Sequence, residues 1–166
     1  RVDDPESRSV VVDGPGQDVL PAIHPDGDWI AFASGPSFIT TDVFVQRFPE
    51  GGGRFKASVD GGGTPFWSPD GTRLYYLAVR PNAADSEVVE ITFDGSGATP
   101  VLGRPRTLFE VETISPWMDV DVEGRFVHVV PVEPGEGEDA PDTTGIVFVQ
   151  NWLSRFEDPD AARGGR

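Results

Sequence analysis

Few residues in this chain have the type and spacing that chemistry demands. There are two histidines, His24 and His128, more than 100 positions apart and without acidic neighbours at metal-ligand spacing. Neither a zinc centre nor a histidine-based triad is expected from them. There is no cysteine, which removes thiol nucleophiles, thiolate metal sites and disulfides. No serine sits in a Gly-x-Ser-x-Gly elbow. The runs Gly51-Gly52-Gly53 and Gly61-Gly62-Gly63 lack the Gly-Lys-Ser/Thr of a phosphate loop. Asp119 and Asp121 resemble a metal-binding pair, but alternating aspartates on an exposed strand face explain them more simply. Acids are numerous enough for a glycosidase carboxylate pair, and nothing selects one. The residues therefore point to no catalytic, cofactor-binding or metal-binding set.

One pattern does recur, and its chemistry is that of a turn. It reads His24-Pro25-Asp26-Gly27, then Ser68-Pro69-Asp70-Gly71. Proline presets φ near −65°, aspartate accepts hydrogen bonds from backbone amides just ahead, and glycine takes a positive φ without steric cost. Asp26 and Asp70 as cation ligands is the weaker alternative, because the turn already accounts for both. A worn third copy keeps Gly124 and places Glu123 where the aspartate stood. Pro25, Asp26, Gly27, Pro69, Asp70, Gly71 and Gly124 are accordingly assigned as structural turn residues.

These turns must join strands. The turn glycines Gly27, Gly71 and Gly124 lie 44 and then 53 residues apart, a period that marks propeller blades. Each turn is followed by alternating apolar residues, Ile30/Phe32, Leu74/Tyr76 and Phe126/His128, which should pack between neighbouring blades. His128 shares that phase and reads as a core residue. The fold class is all-β: a β-propeller fragment of about three four-stranded antiparallel blades plus an outer strand of a preceding blade.

Residues 1–8 form a polar N-terminal segment, and residues 9–156 a partial propeller with blades at about 20–59, 63–109 and 114–156. Ser9–Asp13 is the expected outer strand of a preceding blade. In the second blade a fourth strand is expected between Thr99 and Phe109, interrupted at Gly103-Arg104-Pro105. Glu133–Thr144, rich in acid, Pro and Gly, reads as a mobile loop, and Leu153–Phe156 as a helical turn. Residues 157–166 read as a disordered tail.

Composition agrees with many short strands and turns: 37% hydrophobic residues, with 20 Gly and 16 Pro. The formal charge of −15 argues against a nucleic-acid partner, which needs a basic face. No run of about 18 apolar residues exists, so no direct membrane insertion is expected. The chain starts at Arg1 with no signal segment, and is expected to be a piece of a longer polypeptide.

The same residues resemble the TolB-like, WD-like β-propeller repeats of bacteria, over about Leu20 to Phe156. Ser68-Pro69-Asp70-Gly71, set between Phe66-Trp67 and Leu74-Tyr75-Tyr76, is similar to the repeat signature. Val43–Pro49, then Ser58–Gly63 leading into Trp67, resembles the last blades of propellers fused to bacterial Ser/Thr protein kinases. Asp119–Phe126 and Val147–Trp152 resemble the terminal blade of those proteins. The resemblance implies a sensory or interaction module beyond a kinase domain, with an extracytoplasmic (periplasmic or cell-surface) location. No kinase motif is present in this chain, so kinase activity is not assigned to it.

The expected function is a non-catalytic scaffold that binds a protein segment or small ligand at the channel loops, attached to an upstream domain of the same polypeptide. No cofactor is expected. The rival expectations are an accessory propeller gating a peptidase domain, a glycosidase propeller working through Asp/Glu, and a purely structural interaction module.

Overall fold

The structure, a computed structural model, describes residues 9–79, 85–112, 118–131 and 144–149. All its regular elements are strands. β1 (Gln17–Ile23), β2 (Trp29–Ser37), β3 (Thr40–Arg47) and β4 (Phe55–Lys56) form one sheet in sequence order, each pair antiparallel. This is blade 1. β5 (Gly63–Trp67), β6 (Arg73–Val79) and β7 (Asp85–Asp94) repeat the plan in blade 2.

The outer edge of blade 2 is split between two short strands, because Gly103-Arg104-Pro105 interrupts it. β8 (Val101–Leu102) pairs with Phe93–Asp94, and β9 (Arg106–Glu112) pairs with Asp85–Glu90. Pro105 has no amide to give to a ladder. Gly103 passes so close to Thr92 that a Cβ there would lie 2.1 Å from its Oγ1. The third sheet holds β10 (Met118–Val120), β11 (Phe126–Pro131) and β12 (Thr144–Val149), all antiparallel. Of the expected acidic loop, Glu133–Thr144, the last residue opens β12; residues 133–143, the proposed turn at 153–156 and the tail at 157–166 lie outside the described residues.

Ser9–Asp13 departs from expectation. It belongs to no sheet, because a strand needs a ladder partner and the described residues supply none. It is tied to blade 1 through the Val11 carbonyl, which accepts from Gln46 Nε2 at 2.8 Å.

The core lies between the blades. Trp29, Ala31, Val43 and Val45 of blade 1 meet Trp67, Leu74, Tyr76, Val89, Ile91 and Phe93 of blade 2 in one buried cluster. Phe66, Tyr75, Leu77, Val88 and Leu108 of blade 2 meet Val120 and Phe126 of blade 3 in another. Alternate residues of β6 thus serve different neighbours, as a pleated strand with two covered faces requires. Leu74 and Tyr76 face blade 1, and Tyr75 and Leu77 face blade 3. In β11, Phe126 and His128 occupy the phase that faces the preceding blade, and both are buried. Burying each large apolar side chain stabilises the stack by about 1.5–3 kcal/mol. The blades are therefore held as a stack, and their end turns keep fixed positions relative to one another.

Candidate functional site

Three turns of one design end the innermost strands. In each, the amide of the turn glycine closes the bend by donating three residues back: Gly27 to the His24 carbonyl at 2.8 Å, Gly71 to Ser68 at 2.9 Å, and Gly124 to Asp121 at 3.0 Å. The three glycines have φ of 84°, 70° and 77°, a conformation that costs a residue with a Cβ. Asp26 Oδ1 accepts from the Asp28 amide at 2.8 Å, and Asp70 Oδ1 from the Thr72 amide at 3.1 Å.

Blade 3 achieves the cap differently. Asp121, rather than Glu123, accepts from the Glu123 and Arg125 amides, both at 2.9 Å. Asp121 therefore lies beyond the end of β10 and acts in the turn, not on a strand face. Glu123 instead lies 3.0 Å from the Arg125 guanidinium. The expectation that Glu123 replaces the turn aspartate is corrected by this geometry.

Blade stacking brings the first two turns together with the β7–β8 turn, Asp94-Gly95-Ser96-Gly97. Between them lies a groove of about 640 Å³, lined by His24, Asp26, Asp28, Arg47, Asp70, Gly71, Thr72, Phe93, Asp94, Gly95 and Ser96. Its walls are tied across the blade interface by ring N–H groups. Trp29 Nε1 donates to the Gly95 carbonyl at 3.1 Å, and Trp67 Nε1 to the Ala22 carbonyl at 3.0 Å. His24 Nε2 lies 2.9 Å from the Gly71 carbonyl. Arg47 stacks over Trp29 at 4.2 Å from the ring centroid and donates to the Gly97 carbonyl at 2.5 Å.

The groove is electrostatically one-sided, with four aspartates, Asp26, Asp28, Asp70 and Asp94, against one guanidinium. The hydroxyl of Ser68, then the amide and hydroxyl of Thr72, hold Asp70 down at about 2. Asp26 is also held below the usual carboxylate range; partial burial pushes it up, and the Asp28 amide and His24 outweigh that. Asp94 is lowered by the Ser96 amide. Hydrogen bonds to the charged form explain all three directions.

Of the turn residues singled out in the sequence, Asp26, Asp70 and Gly71 line this groove. Gly124, Asp119 and Asp121 belong to the third sheet and its turn, and His128 to the packed face of β11. No group of three His, Cys, Asp or Glu side chains converges as a metal site among the described residues. No helix among them is long and apolar enough to cross a membrane. Arg47, Asp28 and Asp94 escape a reading along the chain, because only the stacking of two blades joins them. The available signal was the second Asp-Gly turn, Asp94-Gly95, following the first by one hairpin.

Comparison with solved structures agrees with this architecture. A protein assigned as TolB from Agrobacterium tumefaciens superposes with a TM-score of 0.50 at 23% identity, over 61% of this chain and 36% of that one. The fold is that of TolB-like propeller blades. The acylaminoacyl peptidase of Pyrococcus horikoshii gives a TM-score of 0.52 at 13% identity, over 75% of this chain and 19% of that one. The chain thus spans about a third of the TolB protein and a fifth of the peptidase. No protein-family model matches the sequence, and no curated protein sequence matches it.

Proposed function

We propose that this chain is part of a non-catalytic β-propeller that binds a protein segment along the groove between blades 1 and 2. The observation that carries the reading is the groove itself, with four carboxylates presented on turns that stacked blades hold in place. Sites on such fixed elements lose little freedom on binding, and clustered charge of one sign steers the complementary ligand. The complement here is a segment bearing ammonium or guanidinium side chains. On the sequence resemblance we further propose that the chain serves as the sensory end of a larger bacterial protein, such as a propeller-fused Ser/Thr kinase, outside the cytoplasm.

A second reading, an accessory propeller of a hydrolase, is motivated by the likeness to acylaminoacyl peptidase. At that identity the likeness speaks for the fold alone, so it ranks below the first reading. Calorimetric titration with a Lys/Arg-rich peptide separates the readings. Binding should weaken with salt, and Asp28→Asn should lower affinity by roughly 3- to 10-fold. Equal binding of an acidic peptide, or indifference to Asp28→Asn, would remove the groove as the site.

A further inference from the structure

The last residue of β3 stands apart from the repeat. Trp29 and Arg47 are partners across the β2–β3 ladder, whereas the corresponding partners in blade 2 are Arg73 and Thr92. The blade plan therefore does not require a guanidinium over an aromatic ring at this place. What the pair builds is a cradle. Its floor is the Trp29 ring, with the Arg47 guanidinium carbon 4.2 Å from the centroid. Its wall is the β7–β8 turn, where Arg47 Nη2 donates to the Gly97 carbonyl at 2.5 Å and to that of Gly95 at 3.5 Å. Floor and wall are fixed without Arg47: Trp29 Nε1 donates to the Gly95 carbonyl, and Asp94 Oδ1 accepts from the Ser96 amide at 3.0 Å within the turn.

None of these groups is particular to Arg47. A ring face and two backbone carbonyls would serve any guanidinium, which stacks on the one and donates N–H bonds to the others. Trp29 is 0% exposed, and Arg47 is what stands between its ring face and the groove. Among the described residues Arg47 forms no ion pair with the groove aspartates, Asp26, Asp28, Asp70 and Asp94, so it is held by neutral acceptors and the ring. Exchanging it for a second guanidinium is therefore close to neutral at the cradle itself. The surrounding carboxylates then favour the incoming chain, which brings positive charge that the free groove lacks.

We infer that Arg47 is a built-in occupant of a guanidinium site, and that an arginine side chain of the bound segment displaces it. This rests on the groove as the binding site, and it narrows the ligand from basic to arginine-bearing. Lysine cannot take the same place, because a compact ammonium has no planar fork to lie on the ring while reaching both carbonyls. In the free chain Arg47 competes with the segment, so the groove is self-inhibited.

Titrating the peptides Gly-Arg-Gly-Arg-Gly and Gly-Lys-Gly-Lys-Gly into the wild type and Arg47→Ala tests the displacement. Removing one positive charge from the groove helps both peptides alike, by roughly 2-fold. The emptied cradle should add about 10-fold more for the arginine peptide alone. Methylguanidinium at about 10 mM should shift the Trp29 indole N–H resonance of Arg47→Ala and leave that of the wild type in place, with methylammonium inert on both. A further readout needs no variant to fold. In the wild type the Arg47 δ protons, held upfield by the Trp29 ring, should move to free-chain positions as the arginine peptide binds. Equal gains for the two peptides, or a Trp29 resonance indifferent to methylguanidinium in Arg47→Ala, would overturn the inference. Failure of the groove as the segment's site shows differently: Asp28→Asn leaves peptide binding unchanged, while the methylguanidinium shift is kept and the cradle stands.

Discussion

At Gly71 two demands fall on one residue. Its φ of 70° is unfavourable for any residue with a Cβ, and a Cβ there would stand 2.4 Å from His24 Nε2. Gly27 has the same backbone need, with φ of 84°, but a Cβ there would meet nothing within 4 Å. Gly27→Ala should therefore cost about 1 kcal/mol, from backbone conformation alone. Gly71→Ala should cost about 2–3 kcal/mol, because the His24 ring must also move. Urea denaturation of both variants checks the difference; equal losses would mean that the ring swings clear freely. The turns themselves are local chemistry, so the Pro-Asp-Gly sequence carries their design. The reach of His24 is not local, and its bond to Gly71 exists only once one blade lies on another. The third turn was misread for a related reason. Asp121 pairs with Arg125 where Ser68 pairs with Arg73, so that turn is one residue shorter and its capping carboxylate sits earlier than the aligned Glu123.

Among the elements, blade 1 shows how a blade face is covered from within its own sheet. Phe32 and Phe44 stack at 6.1 Å on the face opposite blade 2, yet Phe32 is only 2% exposed. Arg54 lies over both rings, 4.7 and 5.3 Å from their centroids, and is tethered to Asp18 and to Ser34 Oγ. A guanidinium over aromatic faces, held by a carboxylate, acts as a lid. Arg54→Ala should uncover the two rings and leave the Asp18 carboxylate without its partner. The expected result is concentration-dependent association by light scattering, with a loss of about 2 kcal/mol. A variant as monodisperse and stable as the wild type would show that the lid covers nothing of consequence. Alternation in Ile30/Phe32 and Leu74/Tyr76 made the phase of these strands legible, because a pleated strand keeps its two faces apart. The lid was not legible, since Asp18 lies on β1, Phe32 on β2 and Arg54 just before β4. Nor could composition reveal that Ser9–Asp13, strand-like in residue type, joins no sheet among the described residues.

Across the whole molecule, two electrostatic effects act on stability in opposite directions as pH falls. At neutral pH the formal charge of −15 produces self-repulsion that opposes the compact state. Protonating surface carboxylates relieves it, and so does screening by salt. The turn carboxylates work the other way. Asp70 titrates at about 2 against an ordinary value of 3.8, and Asp26, Asp94 and Asp121 are lowered as well. A carboxylate whose folded value is depressed contributes stability that is complete above its unfolded value. That contribution is lost as pH falls through the folded value. Thermal unfolding should therefore give the highest Tm at about pH 5 in low salt. Adding about 0.5 M NaCl should raise Tm at pH 7 by a few degrees, because exposed charges separated by more than a Debye length are screened. The fall below about pH 4 should persist in salt, since it comes from hydrogen bonds within single turns rather than from long-range repulsion. A Tm at pH 7 that drops with salt, or one that stays level down to pH 2, would show that the acidic surface and the capped turns do not control the stability of the stacked blades.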